Sequence, residues 1–110
     1  MAEVGDEGDD VPAGAAVFPL IPAELGVHPL LLAMLHAVVF LEGSGSDVLN
    51  PAAAQEQLEL IAACLQRLDG NELRRVREDL VTLAGFGKSE RWPKASLQFL
   101  KNFLDEFGVK

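Results

Sequence analysis

The residues best suited to binding a ligand cluster near position 90 of this sequence. Lys88, Arg91 and Lys94 surround Trp92, and Glu90 is the one acidic residue among them. A helix is expected to begin here, and the free N–H groups at a helix N-terminus attract anions. These four residues are therefore a candidate contact for a small anion or for an acidic segment of a partner, with Trp92 as an aromatic anchor. The alternative is that Trp92 packs the helix start onto the core while the three cations face water.

The same region contains part of a phosphate-binding motif. Gly87-Lys88-Ser89 matches the end of that motif, but the complete pattern requires glycine five residues earlier, where this chain has Thr82. It also requires a preceding strand, whereas this part of the chain is expected to be helical. We therefore predict no nucleotide site and expect a plain turn between two helices.

Metal binding and catalysis have little support in the sequence. The strong nitrogen or sulfur ligands among the side chains are His28, His36 and Cys64, and they form no closely spaced pair of the kind that structural zinc sites use. Carboxylate-bridged metal sites in helical bundles use Glu-x-x-His pairs, which are missing here. No nucleophile-and-base pair can be argued from spacing. We predict no metal, no cofactor and no enzymatic activity, with structural roles for the two histidines.

Composition restricts the possible partners. The chain has 110 residues, which is the length of one domain, and 49% of them are hydrophobic, with a mean hydropathy of +0.19. A domain of this size buries about two thirds of its unfolded surface, so some apolar surface is expected to remain for a partner. The net charge of −8 and the pI near 4.6 argue against nucleic acid and anionic membranes as partners, because both attract clustered cations.

The location is predicted from cysteine usage and from the N-terminus. A single cysteine, Cys64, cannot form an internal disulfide, so an oxidising compartment is not implied. The first ten residues lack the basic and apolar regions of a secretory signal. We expect a cytoplasmic protein.

The element expected to organise the fold is the uncharged stretch from Pro29 to Leu41. Its large side chains point in nearly every direction when it is placed on a helix, and a helix that is apolar all round is a buried one. The stretch is too short to cross a bilayer, which requires about 20 apolar residues. We predict a central buried helix that starts with Pro29 just after His28.

Two amphipathic helices are expected to follow and to pack as an antiparallel hairpin from about Pro51 to Ala84. The first is capped by Asn50, and Leu60 falls outside its apolar arc, either as an ordinary exposed leucine or as a contact to a neighbour. The second begins near Asp69 and is expected to stop at the closely spaced glycines 85 and 87. Its apolar residues are Leu73, Val76, Leu80, Leu83 and Ala84.

The charges of the third helix and the extent of the fourth are also predicted. Arg74 and Arg75 each have an acidic residue four positions later, Glu78 and Asp79, which indicates a solvated charged face. The fourth helix is expected to begin near Trp92 and Pro93 and to run to Phe107, before Gly108.

The N-terminal part is expected to lack regular structure. Residues 1–15 hold five acidic residues and no basic one, which predicts a disordered acidic tail, and without these charges the net charge falls from −8 to −3. Pro19 and Pro22 then favour an extended apolar arm. The arm either packs across the bundle or docks on a second subunit.

These expectations define one all-α domain, a compact four-helix antiparallel bundle at residues 16–110 with the extended arm at its start. The function predicted first is a non-enzymatic protein–protein interaction or assembly module, with a homodimer as one form. The alternative is a helical bundle that binds a small anionic ligand through Lys88, Arg91, Trp92 and Lys94.

Overall fold

The computed structural model describes residues 13–109, and in this range the chain forms four α-helices and no strand. The helices are α1 (Pro29–Gly43), α2 (Pro51–Leu65), α3 (Gly70–Ser89) and α4 (Lys94–Glu106), and a short 3-10 turn (Ala23–Leu25) precedes them. The predicted all-α four-helix fold is confirmed. The tail predicted for residues 1–15 lies outside the described residues except for its last three. None of the helices in this part of the chain is long and apolar enough to span a membrane.

The starts of α1 and α2 follow the predicted capping signals. The Nδ1 atom of His28 accepts a hydrogen bond of 3.1 Å from the backbone N–H of Leu30, and Pro29 occupies the first helical position. The Oδ1 atom of Asn50 likewise accepts from Ala52 and Ala53 at 2.9 and 3.1 Å. Both caps satisfy N–H groups that have no partner inside the helix. The predicted starts of these two helices are confirmed.

The predicted end of α3 is wrong, because the helix continues through both glycines to Ser89. The chain leaves the helix at Arg91, which adopts the left-handed conformation with φ of +59°. The backbone N–H of Trp92 then donates to the carbonyl of Gly87 at 2.9 Å, and that of Arg91 donates to Lys88 at 3.1 Å. This pair of hydrogen bonds is the Schellman arrangement that ends many helices.

Gly87 serves close packing and does not mark the end of α3. A Cβ atom at this position would collide with the Trp92 ring and would lie 3.0 Å from Cδ2 of Leu97. The indole therefore lies directly on the helix backbone. α4 begins at Lys94, two residues after Trp92, and ends where predicted, with Gly108 in the left-handed conformation at φ of +77°.

The helices pair differently from the prediction. α1 packs closely against α2, and α3 packs closely against α4, whereas α2 and α3 are not a close pair. α2 fully buries only Ala54 and Leu65, and its partly buried residues Leu58, Ile61 and Ala62 pack onto the core. The most deeply buried side chains come from the other three helices: Leu35, Val38, Leu83, Leu100 and Phe103.

The arm packs across its own chain, as the first of the two alternatives predicts. Phe18 is only 4% exposed, and its ring meets those of His36 and Trp92 edge-on, with centroids 5.4 and 5.8 Å apart. The backbone N–H of Ala16 also donates to Oγ of Ser44 at 3.0 Å. The arm thus joins α1 to the segment that precedes α4.

The prediction that α1 is enclosed on all sides is wrong. Leu31, Leu35 and Val38 are buried, but Leu30 is 74% exposed and Phe40 is 37% exposed. α2 packs beside α1, and the arm covers another side through Phe18. The side that carries Leu30 and Phe40 is left open to solvent.

Candidate functional site

The open side of α1 is an uncharged surface, here called the α1 face, formed by Leu30, Ala33, Ala37 and Phe40. All four residues are exposed, and their spacing of three, four and three positions places them on one side of the helix. From Leu30 to Phe40 the face is about 15 Å long, at 1.5 Å per residue. The two alanines leave a shallow strip between a large side chain at each end, a shape that allows a second helix to approach closely.

A second surface lies between α3 and α4 and is lined by both apolar and charged residues. It is here called the α3–α4 groove. The groove has a volume of about 590 Å³, and its apolar floor includes the buried residues Leu80, Leu100 and Leu104. Arg77, Lys88 and Lys101 stand along it with one carboxylate, that of Asp105. The groove is therefore apolar at its base and positively charged at its rim.

The residues predicted as an anion or partner contact do not all lie together. Lys88 lines the α3–α4 groove, whereas Arg91, Trp92 and Lys94 are not among its lining residues. The three cations are exposed, and Trp92 is half-buried.

The Trp92 ring packs against the protein itself. It meets the rings of Phe18 and Phe86 edge-on at centroid distances of 5.8 Å each, and it covers Gly87. This packing is what the alternative interpretation predicts for Trp92. An anion at this place would be held by the cations, with the indole beside them as a fixed wall.

A buried polar cluster was only half predicted. The expected pair forms, with Nε of Arg75 3.0 and 3.1 Å from the two carboxylate oxygens of Asp79. The prediction of a solvated charged face is nevertheless wrong for Asp79, which is buried. Its carboxylate also accepts a 3.0 Å hydrogen bond from the backbone N–H of His28, and Arg75 donates to the carbonyl of Gly26 at 2.9 Å.

This cluster fastens the end of the arm to α3, so its role is positioning. A sequence signal for it existed, because Asp79 lies three positions after Val76 and four before Leu83, on the apolar side of α3. The spacing to Arg75 drew attention to a helix-surface pair, whereas the contacts with Gly26 and His28 come from a distant segment.

The remaining candidate ligands are dispersed. His28 caps α1, the ring of His36 packs against Phe18, and Cys64 is a free, exposed thiol. Among residues 13–109, no three histidine, cysteine or acidic side chains are grouped so as to hold a metal ion.

One carboxyl group in the described part of the chain has a shifted pKa. Partial burial at the C-terminal end of α1 raises the pKa of Glu42, and the nearby carboxylate of Glu106 raises it further. Desolvation and a like charge both disfavour the ionised form. This effect concerns stability, since Glu42 lies beside the arm and the α1–α2 loop and not on the α1 face.

Comparison with known proteins adds no relative: no family model, curated protein or solved structure matches this chain. The α1 face and the α3–α4 groove are the two candidate binding surfaces of the described chain. One is uncharged and one is cationic at its rim, and both are suited to binding another polypeptide by apolar burial.

Proposed function

We propose that this protein is a non-enzymatic protein–protein interaction module. The observation that carries the proposal is the α1 face, where Leu30, Ala33, Ala37 and Phe40 present an uncharged apolar strip to solvent. A chain with a net charge of −8 has many charged side chains for its surface, yet this side of its most apolar helix has none. A contiguous exposed apolar patch of this kind typically marks an interaction site.

The shape of the α1 face favours a helical partner. A helix laid over Ala33 and Ala37 would contact Leu30 and Phe40 at its two ends, and these large side chains would lose their exposure. Full burial of such a side chain contributes about 1.5–3 kcal/mol. The proposed partners are proteins, copies of this chain included, and the proposed setting is the cytoplasm.

The test places a charge in the middle of the α1 face. Ala37→Glu would force a carboxylate into the contact, whereas Thr82→Glu places the same side chain at an exposed position of α3 outside both surfaces. After cross-linking in the native cells, proteins recovered with the wild-type chain and with T82E are expected to be missing with A37E. Recovery of the same proteins with A37E would refute the proposal, provided that circular dichroism shows A37E to be folded.

A second candidate function is the binding of a small anion near the start of α4. It is favoured by the exposure of Lys88, Arg91 and Lys94. None of these cations takes part in an ion pair within residues 13–109, where the only such pair is Arg75–Asp79. Trp92 is the only tryptophan of the chain, so its fluorescence tests this candidate directly. Titration with inorganic phosphate is expected to change the emission of the wild type but not that of a variant with all three cations replaced by alanine. An equal response of the two proteins would exclude the site.

A further inference from the structure

We propose that the α3–α4 groove receives α2 from a second copy of this chain. The contact uses a surface other than the α1 face, so it stands or falls independently of the partner proposed above.

The groove needs an occupant that combines apolar and acidic side chains. Val81 is 73% exposed at the groove although it is a large aliphatic residue in the interior of a helix. Arg77, Lys88 and Lys101 line the same groove against the single carboxylate of Asp105, which leaves a net charge of +2 among these residues. A basic or a purely polar segment would match this surface poorly.

The outer side of α2 has the complementary character. Leu60 is 55% exposed, and the exposed alanines 53 and 63 lie on either side of it along the helix. Glu56 lies on the same side of α2, between Ala53 and Leu60, Glu59 lies beside it, and no lysine or arginine occurs between Pro51 and Leu65. α2 thus presents a side that combines exposed apolar residues with two carboxylates, and Leu60, which its own fold leaves exposed, would be the central apolar contact.

The length of the α3–α4 groove is compatible with the length of α2. Arg77 and Lys88 are eleven positions apart on α3, which corresponds to about 16 Å, and the fifteen residues of α2 extend over about 22 Å. Glu56 and Glu59 can therefore both lie within reach of the cationic rim while Leu60 covers Val81. α2 has no cations and the groove has an excess of them, so α2 of one copy attracts the groove of another. A contact of α2 with α2, or of groove with groove, would bring like charges together.

The contact joins two different surfaces, so each copy can use both at once, and copies can add head to tail or close into a ring. One helix in one groove covers less than the roughly 800 Å² per partner of a standard stable interface. We therefore expect weak association, with a Kd of about 10–100 μM, in the range of transient contacts.

The experiment measures the mass of the full chain by light scattering between about 5 μM and 1 mM. The wild type is expected to rise above its monomer mass of 11.8 kDa with increasing concentration. Reversal of the groove in R77E/K101E and reversal of the helix in E56K/E59K are each expected to leave a monomer. A mixture of the two variants is expected to associate, because the unchanged α2 of R77E/K101E fits the unchanged groove of E56K/E59K, and the reversed α2 of E56K/E59K fits the reversed groove of R77E/K101E.

Two controls separate this contact from others. R74E/K94E makes the same change in charge at exposed positions that do not line the groove, and it is expected to associate like the wild type. Leu60→Gln retains every charge and is expected to weaken association about tenfold through the loss of apolar burial.

The proposal is overturned if the wild type remains a monomer up to 1 mM. It is also overturned if association survives both charge reversals, if it is lost equally in R74E/K94E, or if the mixed variants fail to pair while each is folded by circular dichroism. An effect of A37E on association with other proteins would concern the α1 face alone, so failure of either proposal can be recognised separately.

Discussion

Replacement of Asp79 by alanine is expected to destabilise the fold by about 2–3 kcal/mol. The buried carboxylate accepts hydrogen bonds from Nε of Arg75 and from the backbone N–H of His28. Its removal leaves the half-buried N–H of His28 without a partner, at a cost of about 1–3 kcal/mol. The loss of a fully buried pair costs about 3–5 kcal/mol, but the side chain of Arg75 is 48% exposed and can turn to water, so its part is smaller.

Urea unfolding followed by circular dichroism measures this loss. In a domain of this size each kcal/mol lowers Tm by about 4–8 °C, so D79A is expected to melt about 10–20 °C below the wild type. Asp79→Asn retains one acceptor oxygen for His28 and is expected to lose only about 1 kcal/mol. Arg75→Ala should cost less than D79A, because water can replace the exposed guanidinium but not the carboxylate.

Two results would refute this reasoning. A loss below about 0.5 kcal/mol for D79A would match an ordinary surface substitution and would mean that the arm does not depend on this carboxylate. A loss for R75A equal to that for D79A would mean that the ion pair, and not the hydrogen bond to His28, carries the stabilisation. The double variant separates the two cases through the coupling free energy.

Three other substitutions test the close packing at Gly87 and the ionisation of Glu42. Gly87→Ala is expected to lower the free energy of unfolding by about 1–3 kcal/mol, since its Cβ would meet the Trp92 ring. Gly85→Ala is the control: a Cβ there meets nothing within 4 Å, so this substitution should raise the free energy of unfolding by up to about 1 kcal/mol. Equal effects of the two substitutions in thermal melts would contradict the close packing at Gly87. Glu42→Gln is expected to raise Tm at pH 7, because the raised pKa of Glu42 means that its ionised form opposes folding. This gain should vanish as the pH falls below about 4, where the wild-type carboxyl is protonated in both the folded and the unfolded state. A gain in Tm that does not depend on pH would contradict this prediction.

The parts of the fold that depend on neighbouring residues were predictable from the sequence. Asn50 and Pro51 start α2, and His28 and Pro29 start α1, because a helix cap is made by residues within one turn of it. The end of α4 before Gly108 is equally local, since glycine adopts the left-handed conformation at little cost.

The errors concern features that depend on distant segments. Gly87 has the residue type of a helix stop, but its lack of a side chain serves the Trp92 ring, which a local pattern does not reveal. The exposure of Leu30 depends on which sides of α1 the other elements cover. The candidate site shows the same limit: the sequence places Lys88 in a cluster with its chain neighbours, whereas the fold places it in a groove with Lys101 and Arg77.

The position of Phe18 also has a consequence for the kinetics of folding. Its ring contacts His36 and Trp92, so the contact closes only after both α1 and the turn before α4 have formed. Contacts that form after the rate-limiting step affect the rate of unfolding and leave the rate of folding nearly unchanged. We therefore expect the arm to close late in folding, so that Phe18→Ala would speed the unfolding of the bundle more than it slows its folding.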